Sequence, residues 1–145
     1  MEIRLLTDGE RGEGLELAWE VFLRYDAPSY SREGIDAFGY AIHDPLYIRG
    51  LKFYGAFENG EMLGVLATRK EGSHIALFFV DGAHHCKGIG RALVQQAQKD
   101  CSEGELTVHS SPYAVEIYRC LGFEISGERE EKDGIAYIPM KWQRK

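Results

Sequence analysis

Hydrophobic residues recur at helical spacing in the first third of the chain. After a short apolar strand at residues 3–6, residues 15–23 place apolar side chains on one face of a predicted helix. That face consists of Leu15, Ala18, Trp19, Phe22 and Leu23. Ser31 is a suitable N-cap for a second helix that should run to about Ala41 and end at Asp44-Pro45.

Beyond these helices the hydrophobic period becomes that of β-strands. Asn59-Gly60 lies between two apolar runs and predicts a tight hairpin, because both turn residues must take positive φ. Residues 73–80 (SHIALFFV) are nearly continuously apolar, as expected of a strand in the middle of a sheet. Residues 105–109 should return beside that strand by a crossover and run parallel to it. A last pair of strands is predicted from Phe123 onward.

The order of these elements predicts an α/β fold. It comprises a strand, two helices, three antiparallel strands, a helix, a strand, a helix and two strands. We expect one domain over residues 1–145, with a mixed sheet of about seven strands flanked by about four helices. In such sheets ligands bind where neighbouring strands diverge at their carboxyl ends. That point falls between residues 73–80 and residues 105–109.

The composition is acidic, with 17 basic and 23 acidic side chains and a net charge of −6. This balance argues against a nucleic-acid partner and suits a cationic substrate. Cys86, Cys101 and Cys120 are odd in number and lack paired spacing, so neither a disulfide framework nor a metal site is expected. Because the chain lacks a signal-like apolar core and a run long enough to span a membrane, we expect a cytoplasmic protein with no membrane partner.

The segment from Phe78 to Val94 (FFVDGAHHCKGIGRALV) joins a strand, a glycine turn and a helix that should run from Gly88 to about Asp100. Unpaired N–H groups and the helix dipole favour an anion at such a start, and Lys87 and Arg91 add positive charge. The segment therefore predicts a phosphate-bearing ligand. A helix start that only needs a flexible approach is the alternative. Neither the P-loop nor the complete dinucleotide fingerprint is present.

Two segments match a known pair of motifs. The first is HCKGIG at residues 85–90, and the second is SSPYAVEIYRCLGF at residues 110–123, in which Tyr118 precedes Leu121-Gly122-Phe123. Both resemble the GNAT superfamily of N-acetyltransferases. The acetyl-CoA loop of that family reads Gln/Arg-x-x-Gly-x-Gly/Ala, and a second core segment carries a tyrosine and ends at Leu-Gly-Phe. His85 stands where the family has Gln or Arg.

The resemblance implies an enzyme with the GNAT-like mixed sheet. Its expected reaction moves an acetyl group from acetyl-CoA to a primary amine of a small molecule or a protein, by direct attack in a ternary complex. The family implies no metal and no covalent enzyme intermediate, and homodimers are frequent in it. The residues that the resemblance assigns to acetyl-CoA binding are Phe79, Val80, His85, Cys86, Lys87, Gly88, Ile89, Gly90, Arg91 and Ser111.

Tyr118 and His74 are the catalytic candidates. Tyr118 matches the general acid of the family, which donates a proton to the leaving thiolate; a core tyrosine on a helix face is the alternative. His74 stands at the strand position where histone-acetylating members carry a glutamate base, and a neutral imidazole can accept a proton. A strand-end histidine bonded to a neighbouring loop is the alternative there. Strand alternation predicts that His74 shares a face with Ala76, Phe78 and Val80.

Several other polar aromatic residues are weaker candidates. His43 and His109 fit structural or exposed roles better than a catalytic one. Tyr25, Tyr30 and Tyr40 fall in the helical region that lines the acceptor side in the family, although core packing suits each of them as well.

Two further functions fit the same residues. One is a non-catalytic CoA-binding or regulatory module, for which the altered residue His85 is the sequence hint. The other is an α/β domain that binds a different nucleotide, because a glycine turn before a helix does not specify which phosphate it holds.

Overall fold

A mixed β-sheet carries helices on both of its faces. The computed structural model describes residues 1–69, 72–82, 88–132 and 134–144, and within them it has eight strands and five α-helices. The strands are β1 (Glu2–Leu5), β2 (Lys52–Glu58), β3 (Glu61–Arg69), β4 (His74–Val80), β5 (Glu105–Ser110), β6 (Glu124–Ile125), β7 (Glu130–Lys132) and β8 (Ile135–Gln143). The α-helices are α1 (Arg11–Val21), α2 (Arg32–Ile42), α3 (Pro45–Arg49), α4 (Ile89–Asp100) and α5 (Val115–Cys120).

The strand order confirms the predicted α/β class. The sheet runs β1-β2-β3-β4-β5-β8-β6, and β7 also pairs with β8. β4 lies in the middle, antiparallel to β3 and parallel to β5, as its apolar sequence and the crossover through α4 predict. The remaining strand pairs are antiparallel.

Local turn and cap signals form as expected. Asn59 and Gly60 take φ of 53° and 80° in the turn between β2 and β3, the left-handed pair that a two-residue hairpin needs. The Ser31 hydroxyl accepts the Gly34 N–H at 3.1 Å and caps α2. Ser111 likewise accepts the Ala114 N–H at 3.2 Å, at the start of the helical turn that leads into α5.

The structure departs from the prediction at two places. Asp44-Pro45 ends α2 but also begins the short helix α3, since the Asp44 carboxylate accepts the Leu46 N–H and proline needs no donor at a first helical position. The C-terminal region holds three strands rather than two, because β6 and β7 pair with different parts of β8. The predicted turn at residues 132–134 includes residue 133, which lies outside the described residues.

A β-bulge at Ala76 changes the direction of side chains along β4. Ala67 lies opposite Leu77 and Thr68 lies opposite Ile75, so Ala76 is the extra residue. The prediction that His74, Ala76, Phe78 and Val80 share one face is therefore wrong. Phe78 and Val80 pack with the core on the α4 and α5 face, whereas Ala76 packs with the core on the opposite face.

Each face of the sheet has its own hydrophobic core. On one face α4 and α5 bury side chains such as Leu93 and Val94 against β-sheet residues that include Leu66 and Leu106. On the other face α1 and α2 bury side chains such as Ala18 against Phe53, Val65 and Leu77. β4 contributes to both cores, which fixes its position relative to the helices on either side.

The longest α-helix, α4, has 12 residues. None of the helices in the described ranges is both long and apolar enough to cross a lipid bilayer.

Candidate active site

β4 and β5 separate after a short parallel pairing, and the gap between them opens into a cavity. Their register covers only His74 with Thr107 and Ile75 with Val108. Beyond those pairs the strands diverge, at the bulge residue Ala76. The cavity has a volume of about 900 Å³ and is lined from both strands. This is the strand divergence at which the sequence predicts a ligand.

One end of the cavity lies at the start of α4. Gly88, Gly90 and Arg91 line it together with Phe79 and Val80 of β4, so five of the predicted acetyl-CoA residues are brought together. Ile89 is 3% exposed and packs in the core, which leaves only its backbone for a ligand. Ser111 also lines the cavity, although its hydroxyl accepts the Ala114 N–H. The predicted residues His85, Cys86 and Lys87 lie outside the described part of the chain.

Gly88 and Gly90 are required for different physical reasons. Gly88 is the N-cap of α4 with φ of 81°, and a Cβ placed there would meet no atom within 4 Å, so open space lies in front of the helix start. A Cβ on Gly90 would come within 2.9 Å of the Phe78 ring. Gly88 thus provides the left-handed turn before α4, whereas Gly90 admits the helix close to β4.

Tyr118 stands at the wall of the cavity with its hydroxyl unbonded within the described part of the chain. The residue is 5% exposed, and its ring packs on Phe78 and Phe123 at centroid distances of 5.7 and 5.4 Å. Burial raises the pKa of Tyr118, and the negative charge of Asp26 raises it further. The phenol is therefore protonated at neutral pH and can act as a donor rather than a base.

His74 is held beside the cavity rather than in its lining. It is 4% exposed, its Nδ1 lies 2.7 Å from Thr107 Oγ1, and its ring meets the edge of His109 at 4.8 Å. His109 itself lines the cavity and stacks on Tyr137 at 4.3 Å. His43 is exposed, and its Nδ1 lies 2.6 Å from the Gly39 carbonyl oxygen of its own helix, as a structural role predicts.

Asp26 is a cavity residue for which the sequence analysis proposed no role. It ends a π-helical turn, Phe22–Asp26, that continues α1, and such turns are frequent at functional sites. Burial raises the pKa of Asp26 from 3.8 to about 6. Its charge also raises the pKa of Tyr30 and that of Tyr118, so the carboxylate faces both phenols. The sequence feature that could have indicated this role is the position of Asp26 between Tyr25 and Tyr30, where the helix pattern is interrupted.

Residues of β3, β7, β8 and α3 also line the cavity. They are Arg69, Lys132, Tyr137 and Tyr47. Of the three tyrosines expected on the acceptor side, Tyr25 and Tyr30 line the cavity. Tyr40 is 76% exposed and does not line it. The helical region α1 to α3 therefore contributes to the cavity wall, but not through Tyr40.

Two of the three cysteines lie in the part of the chain that the structure describes. Cys101 is buried in the core, and Cys120 is an exposed residue at the cavity. Across residues 1–69, 72–82, 88–132 and 134–144, no three His, Cys, Asp or Glu side chains come together in a way that could hold a metal ion.

Comparisons with known proteins agree with this geometry. The chain matches the family model of the acetyltransferase (GNAT) domain over residues 26–144. It is similar in structure to a GCN5-related N-acetyltransferase from Rhodopseudomonas palustris, with a TM-score of 0.83, 19% identity, and coverage of 98% of this chain and 94% of that one. A comparison with curated protein sequences finds no match.

Two further solved structures share the fold. The PaiA N-acetyltransferase of Thermoplasma acidophilum, solved in complex with coenzyme A, has a TM-score of 0.73 at 22% identity, with 98% of each chain covered. Tetrahymena GCN5 has a TM-score of 0.68 at 20% identity, with 99% of this chain and 96% of that chain covered.

The chain belongs to the GNAT superfamily of N-acetyltransferases. It is an acyltransferase enzyme, and its fold class and family support the use of acetyl-CoA for acetyl transfer.

Proposed function

We propose that this protein, acting as one domain over residues 1–145, transfers an acetyl group from acetyl-CoA to a primary amine by direct attack in a ternary complex. The observation that carries the proposal is Tyr118. Its ring is buried at the cavity wall, yet its hydroxyl has no hydrogen-bond partner among the described residues. A protonated phenol left unbonded beside a cavity is suited to donate to a ligand atom.

The start of α4 fits the diphosphate of acetyl-CoA. A Cβ at Gly88 would project into open space, and the backbone N–H groups of the first turn have no partners within the helix. Arg91 supplies positive charge on the same side. We assign the pantetheine chain and the thioester oxygen to the backbone of Phe79 and Val80, which line the cavity beyond the strand divergence. When bound, acetyl-CoA supplies the activated acetyl group.

The acceptor amine must lose a proton before it can attack. A lysine-like amine has a pKa near 10.4, so only about one molecule in 2,500 is neutral at pH 7. We propose that the Asp26 carboxylate holds the ammonium group and takes this proton, because its pKa of about 6 lies close to working pH. This assignment replaces His74 as the base. His74 contacts His109 and Thr107, which suits a positioning role for the His109 ring at the wall.

Bond making and breaking then follow from these contacts. After Asp26 has taken one proton from the ammonium group, the neutral amine nitrogen bonds to the carbonyl carbon and the carbon–sulfur bond breaks. The second proton of the nitrogen goes to the departing sulfur, so that the products are the amide and the thiol. The Tyr118 hydroxyl donates towards the sulfur as it gains negative charge. Because the conjugate thiol has a pKa near 8.5, below that of a phenol, a strengthening hydrogen bond supports this step without complete proton transfer.

The experiment is acetyl-CoA-dependent release of thiol, measured over a panel of small amines and a protein extract. We expect Tyr118→Phe to lose about 100-fold in turnover, the low end for acid catalysis. Tyr40→Phe is the matched control, since Tyr40 is 76% exposed and outside the cavity lining; its turnover should equal that of the unaltered enzyme. Equal turnover in the Tyr118 variant would remove this residue from the mechanism. Tight acetyl-CoA binding without turnover on any amine would instead identify a regulatory CoA-binding module.

A further inference from the structure

The charges that line the cavity differ in sign from the charge of the whole chain. The protein carries a net charge of −6, but the described charged residues of the cavity lining are three cations and one carboxylate. The cations are Arg69, Arg91 and Lys132, and the carboxylate is Asp26. Arg91 lies at the start of α4, on the side assigned to acetyl-CoA. Arg69 ends β3 and Lys132 ends β7, and no phosphate of the cosubstrate is assigned to either residue.

Arg69 has a donor that lacks an acceptor. It is the last residue of β3 and lies opposite His74 of β4. Its Nε atom is fully buried and has no hydrogen-bond partner within the described part of the chain. An unsatisfied buried donor is costly, and the Arg69 side chain also lines the cavity, so an acceptor placed at its guanidinium would stabilise it.

The surroundings of Arg69 favour an anion. Tyr47, a half-buried phenol, is close enough for the positive charge of Arg69 to lower its pKa, which opposes the larger increase caused by burial. Lys132, which also lines the cavity, adds further positive charge to its wall. Among the described lining residues the single carboxylate, Asp26, lies on the π-helical turn and acts on Tyr118 and Tyr30. The acceptor cavity is therefore positive at Arg69 and negative at Asp26.

We propose that the acceptor is a small primary amine that also carries a carboxylate, with its ammonium at Asp26 and its carboxylate on the Arg69 guanidinium. This inference rests on the acetyl transfer proposed above and names the class of acceptor. A planar guanidinium matches a carboxylate with two parallel hydrogen bonds. A polyamine would bring a second ammonium to Arg69 and be repelled. The expectation from composition, a purely cationic substrate, is thereby replaced by a zwitterionic one.

A matched ladder of acceptors tests this proposal without any variant. Amino carboxylates of increasing chain length are compared with alkylamines of the same length but no carboxylate, together with spermidine and an aminoalkyl phosphonate. We expect kcat/KM for the best amino carboxylate to exceed that of its alkylamine by about tenfold or more, from one charge-assisted hydrogen-bonded pair. Equal rates for the paired acceptors, or a preference for spermidine or the phosphonate, would overturn the carboxylate assignment. Absence of turnover on every amine would count against the acetyl-transfer proposal instead.

Variants then locate the preference on one side chain. Arg69→Gln should bring the ratio between paired acceptors close to one, mainly through a higher KM for the amino carboxylate. Arg69→Lys should retain part of the preference, because the charge remains while the planar fork is lost. Arg49→Gln, an exposed arginine of α3 outside the cavity lining, should leave the ratio unchanged. If Arg69→Gln and Arg69→Lys each lower kcat/KM equally for the amino carboxylate and its matched alkylamine, Arg69 has a structural role. That result would contradict the proposal.

Discussion

Asp26 shows how a single residue can cost stability at a site where it is useful. Its carboxylate is partly buried and makes no hydrogen bond or ion pair with any described residue. Burial raises the pKa of this carboxyl to about 6, because no hydrogen bond or ion pair with a described residue offsets the lost hydration. A base at this position is ionised at neutral pH and remains able to accept a proton. The same desolvation opposes folding once the carboxylate is charged.

Asp26→Asn should therefore raise stability and lower activity. Because the folded pKa is about 6 and the usual value is 3.8, the folded protein binds the proton more tightly than the unfolded chain does. The ionised carboxylate then destabilises the fold progressively as pH rises between these two values. Above pH 6 the asparagine variant should be more stable by about 1 kcal/mol, a figure reduced for solvent screening, and near pH 3 the difference should vanish. Thermal unfolding of both proteins across pH measures this.

The activity of the same variant has its own pH signature. Turnover of the unaltered enzyme should rise with pH through about 6, as Asp26 ionises. The variant should lose about 100-fold at pH 7 and recover part of that loss near pH 10, where the amine is neutral without help. A deficit that stays constant over the whole pH range would show that Asp26 does not take the proton.

At the scale of elements, the start of α2 is joined directly to the turn before β8. The Ser31 hydroxyl donates to the Gly134 carbonyl oxygen at 3.1 Å while it accepts the Gly34 N–H. Gly34 leaves no room for a side chain, since its Cβ would lie 2.5 Å from the Gly134 oxygen. Helix α2, which lines the cavity, is thus held against the turn before β8 by backbone contact.

Gly34→Ala and Gly12→Ala should change stability in opposite directions. Both residues lie in the first turn of a helix, where alanine gains about 1 kcal/mol of helix propensity over glycine. A Cβ on Gly12 would meet nothing within 4 Å, so that variant should be more stable. The Gly34 variant meets backbone and should be less stable by about 1 to 3 kcal/mol, with a higher KM for the amine. Urea unfolding and kinetics measure both; a stabilised Gly34 variant would contradict the contact.

Turns and caps that depend on adjacent residues can be predicted from the sequence. Features that depend on residues far apart in the chain, such as strand register, cannot. The Asn59-Gly60 hairpin and the Ser31 cap depend on a few adjacent residues and form as expected. Helix α3 was missed because Asp44-Pro45 is equally suited to end one helix and to begin another. The bulge at Ala76 has no local sequence signal, since it depends on the register with β3.

The candidate site follows the same division. The strand divergence, the start of α4 and Tyr118 lie in motifs that can be located in the sequence, and the structure brings them to one cavity. Asp26 and Arg69 were not found, because their importance comes from burial and from partners distant in sequence, Tyr118 for Asp26 and Tyr47 for Arg69. His74 was selected because it stands where histone-acetylating relatives carry a glutamate base, and its predicted shared face with Ala76, Phe78 and Val80 fails at the bulge.

At the scale of the whole molecule, the sheet is joined by few residue pairs at its centre. Only two parallel residue pairs join β4 to β5, whereas β3 pairs with β4 at six positions and β5 pairs with β8 at six. A ligand that reaches both strands would tie the two parts of the sheet together. Binding of such a ligand should therefore stabilise the folded state as a whole.

Coenzyme A should raise the unfolding temperature more than ATP or NAD does. At a concentration 100 times Kd, a ligand specific to the folded state adds about 2.7 kcal/mol, which corresponds to several degrees for a domain of this size. Differential scanning fluorimetry with the three ligands at equal concentration measures the effect. An equal shift with ATP or NAD would favour a general nucleotide-binding site over a CoA site.

The extra residue of β4, Ala76, also affects how side chains of this strand are compared with those of related proteins. On the two sides of Ala76, odd and even positions exchange their orientation, so Ile75 points with Phe78 rather than with Leu77. An ungapped alignment with a strand that lacks this extra residue would match side-chain directions on one side of Ala76 and invert them on the other. To place a new catalytic side chain on a chosen face of β4, its position must therefore be counted from the end of the strand on the same side of Ala76.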